Sequence, residues 1–533
     1  VCLSIVLAIV LSRSWSAILG SLGALLIFSL VILSRRRGRK KEIWGGLVLL
    51  GIVFLLGLAL PEQMGAESSE ARTVAQLSAD QKQTLRQDSI EIFRDFPLFG
   101  TGAGTYAHVY PRYKTIPGNE APVEHARNSL LELLVESGLV GVLLSAWFLL
   151  AVFYRGYLAW RQRHSRISVY LYGGGLAGVV AIIVHGWDSS TLQLFVTGAF
   201  LFFLCALSVA AAVTSSHRAP PEPVSLPPRV LRWSLSVLLT VLLLNLMADA
   251  GRLTSKVWYG DVLASRDQQE VTVKKAAGRA TLLAPLAADY RYLFADAALA
   301  SGDRAKAVKR FGTALRLAPL NAEYLQRLGL VVANDGQYET ARKLLKAGVA
   351  SDRSNPERHK AFAFWLLSRG KKEPALDHIR QAVYWGPEKT WDYLSLMEAY
   401  GLSEEDMRRT LPERSIPMLA FGDYLASIGK NQAAEQSYRA AVQYAINEKN
   451  PSPEPFQRAA EFFASRGDET YALEIVLMAI KLFPKDLDLR LSAANLYERL
   501  GIVYRAVQEY RGVLSRDPDN KEARERLNVL SDD

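Results

Sequence analysis

Hydrophobic positions divide the chain into two halves with different rhythms. Uncharged apolar runs cover about 15–33, 43–60, 167–184, 190–213 and 233–248. A further run, about 130–154, is apolar except for Glu132 and Glu136 near its start. A helix rising 1.5 Å per residue needs roughly 20 residues to cross a hydrocarbon core about 30 Å thick, so each run predicts a membrane-spanning helix. The chain opens at Val1 inside another apolar run of about eleven residues. That is about half a span and no basic stretch precedes it, so it reads as the remainder of a helix that starts upstream, not as a signal peptide. From about residue 250 the apolar runs give way to charged, Ala- and Leu-rich sequence. The expected fold is therefore all-α: a polytopic transmembrane bundle over 1–250, truncated at its amino terminus and carrying a long loop at 61–128, then a soluble helical domain over 251–533.

The second half repeats. Gly302, Gly336 and Gly370 lie 34 residues apart, as do Gly467 and Gly501. An alanine follows each by five residues: Ala307, Ala341, Ala375, Ala472 and Ala506. Pro319, Pro387, Pro484 and Pro518 each sit seventeen after their glycine. Gly429 with Ala434 and Ala441 marks a sixth unit, displaced by an insert near 447–455. A glycine can turn the chain left-handed between two helices, a small alanine lets them approach, and proline ends the second helix or opens the next repeat. The 34-residue period resembles that of the tetratricopeptide (TPR) family, paired antiparallel helices stacked into an α-solenoid, across about 285–530. The resemblance implies a concave face suited to a protein partner. Phe311, Tyr324, Tyr338 and Tyr438 are expected to pack between helices.

Charge orients the first half. The segment Arg35-Arg36-Arg37-Gly38-Arg39-Lys40-Lys41, the loop bearing Arg155, Arg161, Arg163 and Arg166, and the flank bearing Arg218, Arg229 and Arg232 hold most of its positive charge. Short basic loops stay on the cytoplasmic side. Alternation then places Arg13, the loop 61–128, the turn at His185 and everything after about 250 outside the cytoplasm. The loop 61–128, with seven basic and nine acidic residues, has no positive excess and suits that side. A net charge of +10 arises from these loops, and no basic stripe interleaves with aromatics, so nucleic acid is not expected as a partner. Cys2 and Cys205 both lie in apolar runs, which leaves no disulfide framework and no CxxC metal site.

Three segments carry candidate chemistry: RQDSIEIFRDFPLFGTGAGTY at 86–106, EHARNSLLELLVESGLVGV at 124–142 and HGWDSSTLQLF at 185–195. In this order they resemble the O-antigen ligase and polymerase family across about 1–213. The leading Leu11-Ser12-Arg13-Ser14-Trp15 resembles that family's arginine-bearing helix junction. The resemblance implies a bacterial inner-membrane glycan transferase. Its donor would be a glycan on a polyprenyl diphosphate, in contact with membrane lipid, and its acceptor a lipid A core, another lipid-linked glycan or a protein hydroxyl.

The residues suit that chemistry. Arginine holds diphosphate oxygens with a fixed fork of donors and stays charged at any working pH, which nominates Arg13 and Arg86. A histidine can take the proton from an attacking hydroxyl, which nominates His125. No metal or other cofactor is demanded. The family places histidine immediately before asparagine at the head of the following helix. Here Arg127 precedes Asn128, with His125 two residues earlier. Three readings stay open: His125 is a displaced base, Arg127 has replaced it as a phosphate clamp, or activity is lost and the membrane half anchors a scaffold of repeats. Arg127 and Asn128 are assigned to positioning donor or acceptor. Gly102 and Gly104 either bring backbone close to phosphate or shape a turn. Glu136 with Gly138 matches the family's glutamate-x-glycine pattern, and Glu132 and Glu136 are read as support at the helix end. His185 and Asp188 are expected to cap the outward turn. A transporter lacks a polar path through these spans.

Overall fold

The computed structural model describes residues 15–33, 79–115, 123–161, 166–187, 189–193, 195–213, 227–264 and 270–532. Arg13, Cys2, Asp188, the predicted span 43–60 and the basic segment 35–41 lie outside the described residues. All regular structure among the described residues is helical. They fall into two compact units, one ending at Asp335 and the other beginning at Gly336.

In the first unit, α1 (Trp15–Leu33), α4 (Ser129–Arg161), α5 (Arg166–His185) and α6 (Phe195–Val213) form the apolar bundle. Helix α1 packs along α5, α5 along α6, and α4 against α6. Small residues set the spacing: a Cβ on Gly20 of α1 would lie 2.8 Å from the Ala181 carbonyl oxygen of α5. Two of these helices, over Ser129–Leu158 and Ser168–His185, are long and apolar enough to span a membrane, as is the stretch Arg232–Val257. Leu143, Leu144, Trp147 and Leu150 leave α4 exposed, an apolar surface that lipid would cover and water would not. The predicted run 190–213 proves to be a short 3-10 turn at Thr191–Gln193 followed by α6.

Between α1 and α4 sit α2 (Ala79–Asp95) and a one-turn helix α3 (Tyr106–Val109). Leu85, Asp88, Ser89 and Ile92 recur with helical spacing and form the buried face of α2. They meet Tyr106, Val109, Tyr110, Ala126 and Val135 in one small core.

Helix α7 (Pro228–Ala264) is continuous through residue 250, where the sequence suggests a domain boundary. At 37 residues it is about 55 Å long, so much of it extends past a hydrocarbon core. Helix α8 (Glu270–Leu283) folds back along it, and Ser255 Oγ donates to the Ala280 carbonyl at 3.3 Å. Helices α9 (Ala288–Ala300), α10 (Arg304–Leu317) and α11 (Ala322–Asn334) complete this unit.

The second unit is a run of helical hairpins. It comprises α12 (Tyr338–Ser351), α13 (Pro356–Leu367), α14 (Lys372–Trp385), α15 (Thr390–Ala399), α16 (Glu404–Thr410), α17 (Ser415–Ser427), α18 (Asn431–Asn447), α19 (Glu454–Ser465), α20 (Glu469–Leu482), α21 (Leu487–Arg499), α22 (Val503–Leu514) and α23 (Lys521–Asp532). Across both units the six signature glycines have φ between 69° and 86°, the left-handed turn that glycine adopts without penalty. The six partner alanines, Ala307, Ala341, Ala375, Ala434, Ala472 and Ala506, are all fully buried. Gly401, at φ 71°, turns a further hairpin, α15–α16, that the 34-residue spacing does not reveal. Of the four aromatics expected between helices, Phe311, Tyr324 and Tyr438 are buried. Tyr338 is not: it opens α12 and lies exposed under the Arg369 guanidinium, 3.8 Å from ring centre to carbon.

Candidate functional site

The amino-terminal unit brings the three motif segments together around the start of α4. Asn128 caps that helix, its Oδ1 accepting from the amides of Leu130 and Leu131 at 3.1 and 2.9 Å. Asparagine suits this position because its side chain satisfies amides that lack a partner within the helix. Ser129 ties the cap to the 185–193 turn. Its amide donates to the carbonyls of Gly186 (2.8 Å) and Ser189 (3.1 Å). Its hydroxyl donates to the Ser189 carbonyl (2.8 Å) and Gln193 Oε1 (3.0 Å), and accepts from the Leu192 amide (3.2 Å). Ser189 Oγ in turn donates to the His185 carbonyl at 2.7 Å and stitches the same turn, while the capping expected of Asp188 falls outside the described residues.

The segment 97–106 is clasped by a kink in α4. Gly138 breaks the helix at φ 64°, ψ −168°, a conformation open essentially to glycine alone. The freed backbone pairs with the loop. The amides of Thr101 and Gly102 donate to the carbonyls of Val135 and Glu136, both at 2.9 Å. Those of Leu139 and Val140 donate to Pro97 (2.9 Å) and Leu98 (3.1 Å). Gly102 and Gly104 both have positive φ and shape the turn leading to α3. Glu136 Oε1 accepts from the Tyr106 amide at 3.1 Å and so holds the start of α3.

His125 and Glu132 form the chemically distinctive pair. His125 Nδ1 lies 2.9 Å from Glu132 Oε1, and the Ala126 amide donates to Glu132 Oε2 at 3.0 Å. The Glu132 side chain is 3 % exposed and that of His125 46 %. When Glu132 is ionised its carboxylate only accepts hydrogen bonds, so the imidazole then carries its proton on Nδ1 and keeps Nε2 as the basic nitrogen. Glu132 and Glu136 thus steady a histidine and two backbone amides, where the sequence suggests support at a helix end. The pairing is hidden in sequence because it depends on the turn between the two residues. Arg127 makes that turn with φ 52°, a left-handed conformation costing a non-glycine residue roughly 1–2 kcal/mol. Its side chain is exposed beside the cap.

Arg86 lies half-buried on α2, one position round from the buried face, and α2 packs on the first turns of α4. Below it, Asp88 accepts from Tyr110 Oη (3.2 Å) and from the Thr115 amide (3.1 Å) and hydroxyl (2.7 Å). Ser89 Oγ lies 2.8 Å from Tyr106 Oη. These buried contacts, unmarked in the motif, hold α2 to the loop. His125, Arg127, Asn128 and Glu132 therefore gather at one helix start, and Gly102 and Glu136 meet at the clasp next to it. Among the described residues no group of three or more His, Cys, Asp or Glu side chains could hold a metal ion.

Comparisons with known proteins match two separate stretches of the chain. Residues 1–146 match the O-antigen ligase family and residues 292–356 match the tetratricopeptide repeat. Comparison with curated proteins gives no match. Among solved structures the chain is similar to YrrB, described as a TPR protein with an unusual peptide-binding site, at 14 % identity, covering 40 % of this chain and 96 % of that one with a TM-score of 0.22. It is similar to PilW, described as a widely conserved type IV pilus biogenesis factor, at 14 % identity, 45 % and 98 % coverage and a TM-score of 0.23. A tetratricopeptide repeat protein from Parabacteroides merdae shares 12 % identity over 53 % of this chain and 99 % of its own, with a TM-score of 0.23. The chain carries an O-antigen ligase domain at its amino-terminal end and tetratricopeptide repeats in its carboxy-terminal half.

Proposed function

We propose that this protein transfers a glycan from a polyprenyl diphosphate to an acceptor hydroxyl at the outer face of the bacterial inner membrane, with the repeats in the periplasm. The observation that carries the reading is the His125–Glu132 pair: an exposed imidazole oriented by a buried carboxylate is what a general base requires. In the step, the acceptor oxygen attacks the anomeric carbon and its proton passes to His125 Nε2. The bond from that carbon to the donor phosphate oxygen breaks, and polyprenyl diphosphate departs. Arg86, Arg13 and Arg127 would neutralise the charge growing on the diphosphate, each through a planar fork of donors. Asn128 fixes the helix start on which both His125 and Arg127 depend. The acceptor is a lipid A core, another lipid-linked glycan or a protein hydroxyl, and the repeats recruit a protein partner on their concave face or help choose that acceptor.

Arg127, standing where the family has histidine, favours a second reading, an inactive membrane anchor for a scaffold of repeats. The two separate in a deletion strain expressing wild type, Arg86→Ala, His125→Ala and Arg127→Ala at matched membrane levels. Transfer predicts that Arg86→Ala and His125→Ala abolish the long glycan while lipid-linked precursor accumulates. An unchanged glycan profile in all three variants would refute it and leave the scaffold.

A further inference from the structure

The second unit holds an open depression of about 530 Å³ at the α13–α14 hairpin, mostly apolar in its exposed lining but carrying several polar side chains, within the roughly 300–1,000 Å³ range of small-ligand sites. Asp377, His378, Gln381 and Trp385 of α14 line it from one helix face, and His359 of α13 lines it from the other helix. The two histidines are wired together. His359 Nε2 lies 2.7 Å from the Arg353 carbonyl, an acceptor only, so this nitrogen carries the proton. His359 Nδ1 then accepts from His378 Nδ1 at 3.1 Å, which leaves His378 Nε2 as a bare acceptor. The Phe362 ring, 4.8 Å from that of His378, braces the arrangement.

The lining excludes several ligand classes. A metal ion finds His359 with both nitrogens occupied, and among the described residues no third ligand converges. A phosphate would meet the Asp377 carboxylate beside Arg353, and Arg380, though charged, turns Nε and Nη2 to the Arg409 carbonyl at 3.1 and 2.5 Å. A purely apolar ligand would strand the carboxylate, the amide and the imidazole. What remains is a neutral ligand rich in groups that both donate and accept, with an apolar face for an indole. That is the description of a sugar ring. We propose that this cavity is a saccharide-binding subsite: the ring lies on Trp385, its hydroxyls donate to Asp377, His378 Nε2 and the Gln381 carbonyl oxygen, and they accept from Arg353 and the Gln381 amide. The subsite depends on the glycan-transfer reading only for the choice of sugar.

The test uses the full-length protein in detergent and, as probe, the glycan released by mild acid from the lipid-linked precursor that accumulates in the deletion strain. The released chain lacks the diphosphate that the arginines of the transfer site would hold. Calorimetric titration compares wild type, Trp385→Ala, the exposed-residue variants Asp377→Asn and Gln381→Ala, and Glu132→Gln. The expected result is binding about tenfold weaker or worse in Trp385→Ala, a smaller loss in the two exposed-residue variants, and no change in Glu132→Gln. Inorganic phosphate and zinc should not compete. No binding to wild type, equal binding by all variants, or displacement by phosphate would each overturn the proposal. Binding that depends on Trp385 in a protein that transfers no glycan would leave the subsite standing and reject the transferase reading.

Discussion

Replacing Glu132 with glutamine changes one oxygen for an NH2 group and almost nothing in volume, so it separates the structural task of this side chain from the catalytic one. Glu132 has two partners, the Ala126 amide on Oε2 and His125 Nδ1 on Oε1. Glutamine keeps an acceptor for the Ala126 amide but turns an N–H towards the imidazole. The imidazole responds by accepting at Nδ1 and carrying its proton on Nε2, the nitrogen that would have received the acceptor's proton. The wrong tautomer cannot act as base, and the imidazolium formed in the reaction loses its counter-charge. A positioned general base contributes about 10²–10⁴-fold, so kcat should fall by that factor, equivalent to roughly 3–5 kcal/mol. KM for the donor should change by less than about threefold, because no diphosphate contact is lost.

Folding should tell the opposite story. Glu132→Gln should melt in detergent within about 2 °C of wild type, since both hydrogen bonds keep a partner. Glu132→Ala should melt clearly lower, because the amide of Ala126, a residue 1 % exposed, would lose its acceptor at a cost of about 1–3 kcal/mol. The assay is glycan transfer in proteoliposomes from purified lipid-linked donor, run beside thermal unfolding of the same preparations. If Glu132→Gln keeps more than about a third of the wild-type rate, His125 is not a base oriented by Glu132, and the assignment of the pair is wrong.

Arg127→Gly should leave the melting temperature nearly unchanged, because about 1–2 kcal/mol of left-handed strain is relieved while the unfolded chain gains about as much freedom. The same variant should lose transfer if the guanidinium holds diphosphate, and the two readings come from one preparation. Gly138→Ala should cost more than about 3 kcal/mol, because its φ is 64° and a Cβ there would run into the Leu98 carbonyl; limited proteolysis should then open the segment 97–106. In the repeats, Ala375→Leu should cost about 1–3 kcal/mol by overpacking a fully buried position. Gly370→Ala, where a Cβ meets nothing within 4 Å, should cost only about 1 kcal/mol of backbone strain; chemical denaturation of both variants compares them. His378 is held down to about 4 from the ordinary 6.5, chiefly by burial and then by His359. Its unfolded state therefore binds the extra proton, so stability should be intact above about pH 6.5 and fall as pH drops towards 4, and His378→Asn should flatten that part of the profile.

What was legible in the chain is what depends on near neighbours. A glycine forced to positive φ and an alanine pressed between two helices recur at a fixed spacing, so the hairpins announce themselves. The hairpin at α15–α16 does not, and the reason is specific. Five residues after Gly401 stands Asp406 where the other repeats have alanine. It is buried and held by Lys372 at 2.8 Å and by a capping box with Ser403, so an ion pair and a cap occupy the place of a close-packed methyl. The ligase motif likewise named His125, Arg127, Asn128 and Glu136 without showing how they are held. His125 reaches Glu132, seven residues on, because the chain reverses at Arg127 before α4 begins. Arginine, unlike glycine, asparagine or aspartate, is not enriched at positive φ, so nothing local in the sequence signals that reversal. A strained residue persists where its surroundings over-determine it. Here the amide of Ala126 is bound by Glu132, and the side chain of Asn128 is bound to the helix it caps. Both neighbours of Arg127 are thus pinned, and the turn between them is fixed whatever side chain it carries. The fold therefore demands the turn but not the guanidinium, so Arg127→Gly separates the two: the variant should stay folded, and its transfer activity reads the side chain alone.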